Sequence, residues 1–354
     1  MKMDDYLRLA VESKASDTFI IADAPASMKV NGEMRPIVEG DQPLKGEDSY
    51  RLIQEVYMGA RRSPETLQET GDDDFSYEIP EVARFRVNTY RQRGTYAMVI
   101  RTVAVKIPDY KALGIPEELM DLSQLSHGMI LVTGTAGSGK STTEACLIDR
   151  INSTRACHIV TMEDPIEFLY FNKKSIISQR EVSIDTEDFL SALRAVLRQA
   201  PDVIQVGEMR DQETIRAAIT AAETGHLLMA TLHTSGAANS IDRIIDTFPP
   251  ASQQQIRIQL SSVLHTVISQ KLLPDTNGGR VVAFEVMHMT NAVRALIRDS
   301  KTHQIDNAIS TGAAAGMISM DQSILGLYKK GRITARTAVE FSADPEQMKK
   351  KVML

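Results

Sequence analysis

The sequence predicts an α/β protein in two parts: a small α+β region, then a mostly parallel sheet flanked by helices. Three observations carry this. From about residue 118 short apolar strands alternate with helical segments, the pattern of βαβ units. Before about residue 103 the strands instead alternate apolar with polar residues and are joined by turn signals. Between the two, residues 104–117 hold Pro108, Gly114 and Pro116 with few periodic apolar positions, which marks a linker. The expected domains are therefore 1–103 and 118–354.

In the first part a helix is expected over 3–14 and a strand over 18–21. Strands over Ser27–Val30 and 33–38 flank Asn31-Gly32, a strong two-residue hairpin signal. Pro36 assigns the second arm to a sheet edge. Helical spacing returns at 47–58, an acidic loop follows at 72–74, and strands follow over 75–79, 84–90 and 95–103. In the 84–90 strand Phe85, Val87 and Thr89 share one face, and Arg84, Arg86 and Asn88 share the other. That arginine face reads either as a solvated sheet surface or as a source of cations for a ligand.

In the second part, residues 129–133 form a buried strand. A helix follows over 141–151 with Ala145, Ile148 and Ile151 on one side. Strands at 158–162, 202–206 and 227–232 alternate with helices at 188–198 and 210–223, the latter stopped by Gly225. After residue 250 the pattern is mainly helical, apart from a hairpin near Gly278-Gly279.

Composition excludes several classes. The chain has 354 residues, more than a single core usually organises, with 43% apolar and 24% charged residues, as in ordinary globular proteins. A net charge of -6 gives no case for nucleic acid as the main partner. Cys146 and Cys157 form neither a metal-ligand spacing nor a disulfide framework, which points to a reducing compartment. Asp4 and Asp5 argue against a signal peptide, and no apolar run approaches the ~20 residues of a membrane span. The expectation is a cytoplasmic protein without direct membrane insertion, reaching a membrane only through a partner.

Four motifs carry chemistry. Gly134-Thr135-Ala136-Gly137-Ser138-Gly139-Lys140-Ser141-Thr142 matches G-x-x-x-x-G-K-[ST], after an apolar strand and before a helix. The glycines let backbone N–H groups curl around a β-phosphate, Lys140 supplies charge to the β and γ oxygens, and the Ser141 hydroxyl is placed to ligate magnesium. This predicts binding of ATP with Mg2+. Glu208, after the strand 203–206 and Gly207, reads either as the acid that ligands the magnesium shell or orients water, or as an ordinary helix-start acid. Glu163, Asp164 and Glu167 crowd three acids at another strand end, which favours a nearby cation or else a polar turn capped by Asp164. His226 and His233 bracket the strand 227–232, and His233 lies at its carboxyl end, where open α/β sheets bind ligands. Arg194 and Arg198, four apart on a helix, read either as a solvated face or as phosphate-neutralising arginines.

These blocks, in this order, resemble the secretion ATPase superfamily of type II secretion and type IV pili. The phosphate loop, Glu163-Asp-Pro-Ile-Glu167, Val206-Gly-Glu-Met-Arg-Asp211 and Thr231-Leu-His-Thr234 all match its boxes. Ala292-Val-Arg-Ala-Leu-Ile-Arg-Asp299 is similar to A-I-R-N-L-I-R-E, the marker of the PilT-like pilus retraction branch. The likeness covers nearly the whole chain. It implies a PAS-like N-terminal domain, a RecA-like ATPase domain and a homohexameric ring. It also implies a place at the inner face of the cytoplasmic membrane, on the inner-membrane platform protein of the pilus. It implies Glu208 as the catalytic carboxylate, Glu163 as a second essential acid near magnesium, and His233 as a γ-phosphate sensor. Arg84 and Arg86 would lie near a neighbour's nucleotide. In 292–299, Val293, Leu296 and Ile297 would pack while Arg294 and Arg298 face out.

The chain departs from the family pattern in places. The loop reads Gly134-Thr-Ala-Gly137 where G-P-T-G is frequent, which keeps the needed glycines. Phe19 stands where a histidine is usual, and Gln205 where the strand is usually apolar. An extension or secretion ATPase of the same superfamily would be expected to carry a four-cysteine zinc insert, and two isolated cysteines argue against it. A RecA-like nucleic-acid translocase is disfavoured by the acidic charge.

Overall fold

The computed structural model describes residues 1–30, 32–80, 82–103 and 107–352. It divides into two compact units, Met1–Lys106 with Pro165–Leu169, and Ile107–Asp164 with Tyr170–Leu354. Of the expected linker, residues 104–106 lie outside the described residues. The remainder is anchored in the second unit's core by buried Ile115 and half-buried Ile107, Tyr110 and Leu113.

The first unit runs α1 (Met3–Glu12), β1 (Asp17–Ile20), β2 (Ser27–Val30), β3 (Glu33–Pro36), α2 (Gly46–Gly59), α3 (Glu65–Thr70), β4 (Asp72–Ile79), β5 (Ala83–Gln92) and β6 (Thr95–Thr102). Its strands form one antiparallel sheet in the order β3-β2-β1-β6-β5-β4. Val30 pairs with Glu33, so the hairpin has the expected two-residue connection. Asn31 itself lies outside the described residues. Pro36 does sit on an edge strand. Phe85, Val87 and Thr89 are fully buried, as strand alternation requires.

The acidic loop expected at 72–74 is instead the start of β4. Alternation turns Asp73 inward, and the sequence gives no sign of its partners. Arg62 grips its carboxylate at 2.8 and 3.0 Å, and the Tyr57 hydroxyl donates to it at 2.9 Å. A charge buried this way is tolerated because it is paired and hydrogen-bonded.

The second unit runs α4 (Glu117–Met120), β7 (Gly128–Thr133), α5 (Lys140–Thr154), β8 (His158–Glu163), β9 (Ile176–Glu181), α6 (Phe189–Val196), β10 (Val203–Val206), α7 (Gln212–Glu223), β11 (Leu227–Leu232), α8 (Ala237–Asp246), α9 (Pro250–Val263), β12 (Leu264–Pro274), β13 (Arg280–His288), α10 (Asn291–Arg298), α11 (Ile305–Thr311), α12 (Met320–Lys329), α13 (Ala335–Phe341) and α14 (Pro345–Val352). The sheet order is β13-β12-β7-β11-β10-β8-β9, parallel throughout except for β13. Every residue of β7 and β11 is buried, the signature of a strand covered on both faces. Side-chain caps set two helix starts: Asp188 caps α6 and Asp211 caps α7 through the amides of Ser191 and Thr214. Cys146 is a buried core filler whose thiol burial pushes up to about 11.

As expected, the region after 250 is mainly helical (α9 to α14) apart from a hairpin at Gly278-Gly279, which joins two long strands, β12 and β13. Two features differ from the expectation. The helix expected over 188–198 ends at Val196, so Arg198 lies beyond it and donates to the Arg194 carbonyl at 3.1 Å. Strand β9 was not expected from the sequence at all. Among the described residues no helix is long and apolar enough to cross a membrane.

Candidate active site

The parallel sheet collects the motifs. Thr133 pairs with Leu232, and Val206 pairs with both Ala230 and Met162. The residues that follow these strand ends therefore emerge along one rim: the phosphate loop after β7, Glu163 at the end of β8, Glu208 after β10 and His233 after β11.

Glycine is required where the backbone crowds. A Cβ on Gly134 would lie 2.5 Å from Ser138 Oγ and 2.6 Å from the Gln270 carbonyl oxygen. Gly139 enters α5 with φ +89°, a conformation that costs other residues strain. A Cβ on Gly207 would lie 3.0 Å from the Met162 carbonyl oxygen, so glycine eases the close passage of the chain at the end of β8 that delivers Glu208 to the rim.

Lys140 is buried and folds over the loop, donating to the carbonyls of Gly134 at 2.9 Å and Thr135 at 3.1 Å. Its ammonium also lies 3.5 Å from His233 Nδ1. An ammonium only donates, so this contact assigns the neutral His233 ring its proton on Nε2. That Nε2 lies 3.4 Å from Glu208 Oε2. The other Glu208 oxygen is held by Arg210, whose own pKa is raised by that bond. Lys140, His233 and Glu208 thus meet at the loop.

Glu163 is buried on the same rim. Its Oε1 accepts from Thr161 Oγ1 at 2.6 Å and from Gln179 Nε2 at 3.2 Å. Asp164 and Glu167, by contrast, are exposed. Gln205, out of place in an apolar strand, has a partner: its Nε2 donates to buried Glu144 of α5 at 3.2 Å. A buried polar pair replaces an apolar contact beneath the loop.

Three buried oxygens at this rim form no hydrogen bond among the described residues, Thr133 Oγ1, Ser138 Oγ and Gln270 Oε1, and buried Glu208 Oε2 has only the long 3.4 Å contact to His233 Nε2. Natural proteins rarely leave such atoms unsatisfied away from a ligand site. The set fits a nucleoside triphosphate with magnesium. No group of three or more His, Cys, Asp or Glu among the described residues could hold a metal alone. A hard cation here would share ligands between Ser141, one or two of the carboxylates of Glu163 and Glu208, and phosphate oxygens.

The chain matches the family described as Type II/IV secretion system protein over residues 2–327. It belongs to that family. Within this secretion-system family it is 44% identical to the Pseudomonas aeruginosa type IV pilus retractation ATPase PilT over 346 residues, covering 98% of this chain and 99% of that one. It is 43% identical to a Neisseria gonorrhoeae twitching motility protein, over 97% of this chain and 91% of the other. A crystal structure of the pilus retraction motor PilT with bound ADP superposes with a TM-score of 0.91, at 43% identity and 99% coverage of both chains.

Other expected site residues of this family member lie on other elements. Arg84 and Arg86 belong to β5 in the first unit. Arg86 is exposed, but the Arg84 side chain is only 15% exposed and lies 3.6 Å from Glu78, so the arginine face is less open than alternation implied. Arg194 pairs with Glu213 at 3.4 Å in a solvated position. His226 is at the opposite rim, where its Nδ1 lies 2.9 Å from the Ala221 carbonyl oxygen. In α10, Val293 and Ile297 are buried and Arg298 is exposed. Arg294, expected to face out, instead folds back onto the carbonyls of Ser261 and Ser262 and caps the C-terminus of α9. Sequence reading missed Thr161, Gln179 and Gln270. The β-branched run Ile176-Ile177 followed by Val182 was the available sign of β9.

Proposed function

We propose that this chain is a motor ATPase that hydrolyses ATP with Mg2+ to drive retraction of a type IV pilus, and with it twitching motility. The observation that carries the reading is the meeting of Lys140, His233 and Glu208 at the phosphate loop, in a chain 44% identical to a retractation ATPase.

The loop amides from Gly134 to Thr142 cradle the phosphates, and Lys140 moves its charge from the loop carbonyls to the β and γ oxygens. Arg210 holds one Glu208 oxygen, which leaves Oε2 aimed to orient the attacking water. His233 carries its Nε2–H between Glu208 and the γ-phosphate position, so it senses that phosphate. Glu163 acts as the second acid, on the magnesium side. Bound Mg2+, held by Ser141 with Glu163 and Glu208, would supply Lewis-acid charge to the phosphate oxygens.

The same reading makes the chain a homohexameric ring with a PAS-like domain at 1–103, a linker at 104–117 and a RecA-like domain at 118–354. Arg84 and Arg86 then supply trans arginines to a neighbouring subunit's nucleotide. The ring works in the cytoplasm, docked on an inner-membrane pilus platform protein. Deleting the gene tests the direction of work: the deletion strain becomes hyperpiliated and loses twitching. A strain that instead loses its pili would contradict retraction. Changing Arg294 or Leu296 should abolish retraction in cells, and intact retraction would remove α10 from the output.

A further inference from the structure

We propose that Gln179, on edge strand β9, is the positioning residue for Glu163. The proposal rests on the reading of Glu163 as an acid used in ATP turnover. Thr161 and Gln179 are register partners in the β8–β9 pair, so their side chains lie side by side on one face. Two residues on, Glu163 shares that face. Thr161 Oγ1 and Gln179 Nε2 both donate to the same carboxylate oxygen, Oε1, at 2.6 and 3.2 Å.

The amide's orientation is not arbitrary. Gln179 Oε1 accepts the Tyr170 backbone N–H at 2.9 Å. An amide oxygen cannot donate, so this bond forces the NH2 end toward Glu163. The backbone adds a second tie, because Val182 N–H donates to the Glu163 carbonyl at 2.9 Å. Glu163 is buried, and half-buried Tyr170 beside it has its hydroxyl pKa raised well above the usual value by burial and then by the charges of Glu163 and Glu144. In such surroundings a directed donor fixes the carboxylate more firmly than it would in water. Strand β9 thereby does more than close the sheet: it sets the plane of a carboxylate on the next strand.

Full-length Q179M and Q179E test this, measured for ATP kcat, ATP KM and melting temperature beside E163Q. Methionine keeps the length but donates nothing. Glutamate can still accept from Tyr170 but sets a carboxylate against Glu163. With Glu163 misaligned and binding intact, kcat should fall about tenfold or more, the scale of one hydrogen bond to a charged group, while KM stays within about twofold. Q179E should lose more than Q179M. If both variants fold and keep wild-type kcat while E163Q loses turnover, the positioning role is overturned and the reading of Glu163 stands. If E163Q itself turns over ATP at the wild-type rate, the reading of Glu163 fails and the proposal falls with it. Should one variant fail to fold, the kcat-to-KM split of the other decides.

Discussion

The two histidines that bracket β11 lie on one strand and differ in everything else. His226, at the amino rim, is tied to the Ala221 carbonyl and to Thr224 Oγ1. His233, at the carboxyl rim, is 53% exposed on its side chain and stands between Lys140 and Glu208. The rims differ in the same way. At the amino rim polar groups are spent on structure: Arg294 caps α9, and half-buried His265 has its pKa lowered by burial and then by that guanidinium. At the carboxyl rim several buried oxygens are left without a hydrogen bond among the described residues, as is common at ligand sites.

Breaking the carboxyl rim should cost most. Lys140→Ala removes the only charge that folds over the loop among the described contacts, and ATP turnover should fall by about 100-fold or more, mainly through lost phosphate binding. Steady-state hydrolysis checks this.

Next comes the layer beneath the loop. Gln205→Leu leaves Glu144 buried without that donor, which should destabilise the fold by about 1–3 kcal/mol. Adding Glu144→Leu should restore part of the loss, because an apolar pair of similar shape needs no partner. Chemical denaturation of the single and double variants reads this coupling, and strict additivity would refute it.

At the amino rim the effects should be structural only. Arg294→Ala uncaps α9 and should cost about 0.3–1 kcal/mol while ATP turnover by the purified protein is unchanged. A large fall in kcat would erase the contrast between the rims.

The smallest effect is a cap. Asp188 accepts the Ser191 amide at 2.6 Å, and that bond holds its pKa below the usual 3.8. A lowered pKa stabilises above the unfolded value and loses that stabilisation as pH falls through the folded one. Melting temperatures of wild type and Asp188→Ala should therefore differ at neutral pH and converge below about pH 4. A gap that persists in acid would deny the cap its charge.

Much of this was legible in sequence, for reasons that differ by element. The phosphate loop reads directly, because the glycines at 134, 137 and 139 are forced by local backbone geometry. The buried strands read from their apolar runs. What failed was whatever depends on a distant partner. Asp73 looked like loop because Arg62 and Tyr57, which satisfy it inside, are not its neighbours in sequence. Gln205 was unaccountable until Glu144 faced it across the helix–sheet layer. Arg294 looked solvent-facing by helical spacing, and only the α9 terminus explains its turn inward. Strand β9 is short, partly polar and half-exposed, so neither alternation nor an apolar run announced it. The same weakness hid Gln179.

The central claim is that the carboxylate oxygen of Glu208 beside His233 serves hydrolysis rather than binding. Glu208→Gln keeps the side chain's shape and tests it most directly, by measuring ATP affinity and single-turnover hydrolysis on one preparation. The account predicts wild-type affinity with hydrolysis slowed by about 100-fold or more. Hydrolysis at the wild-type rate would contradict it.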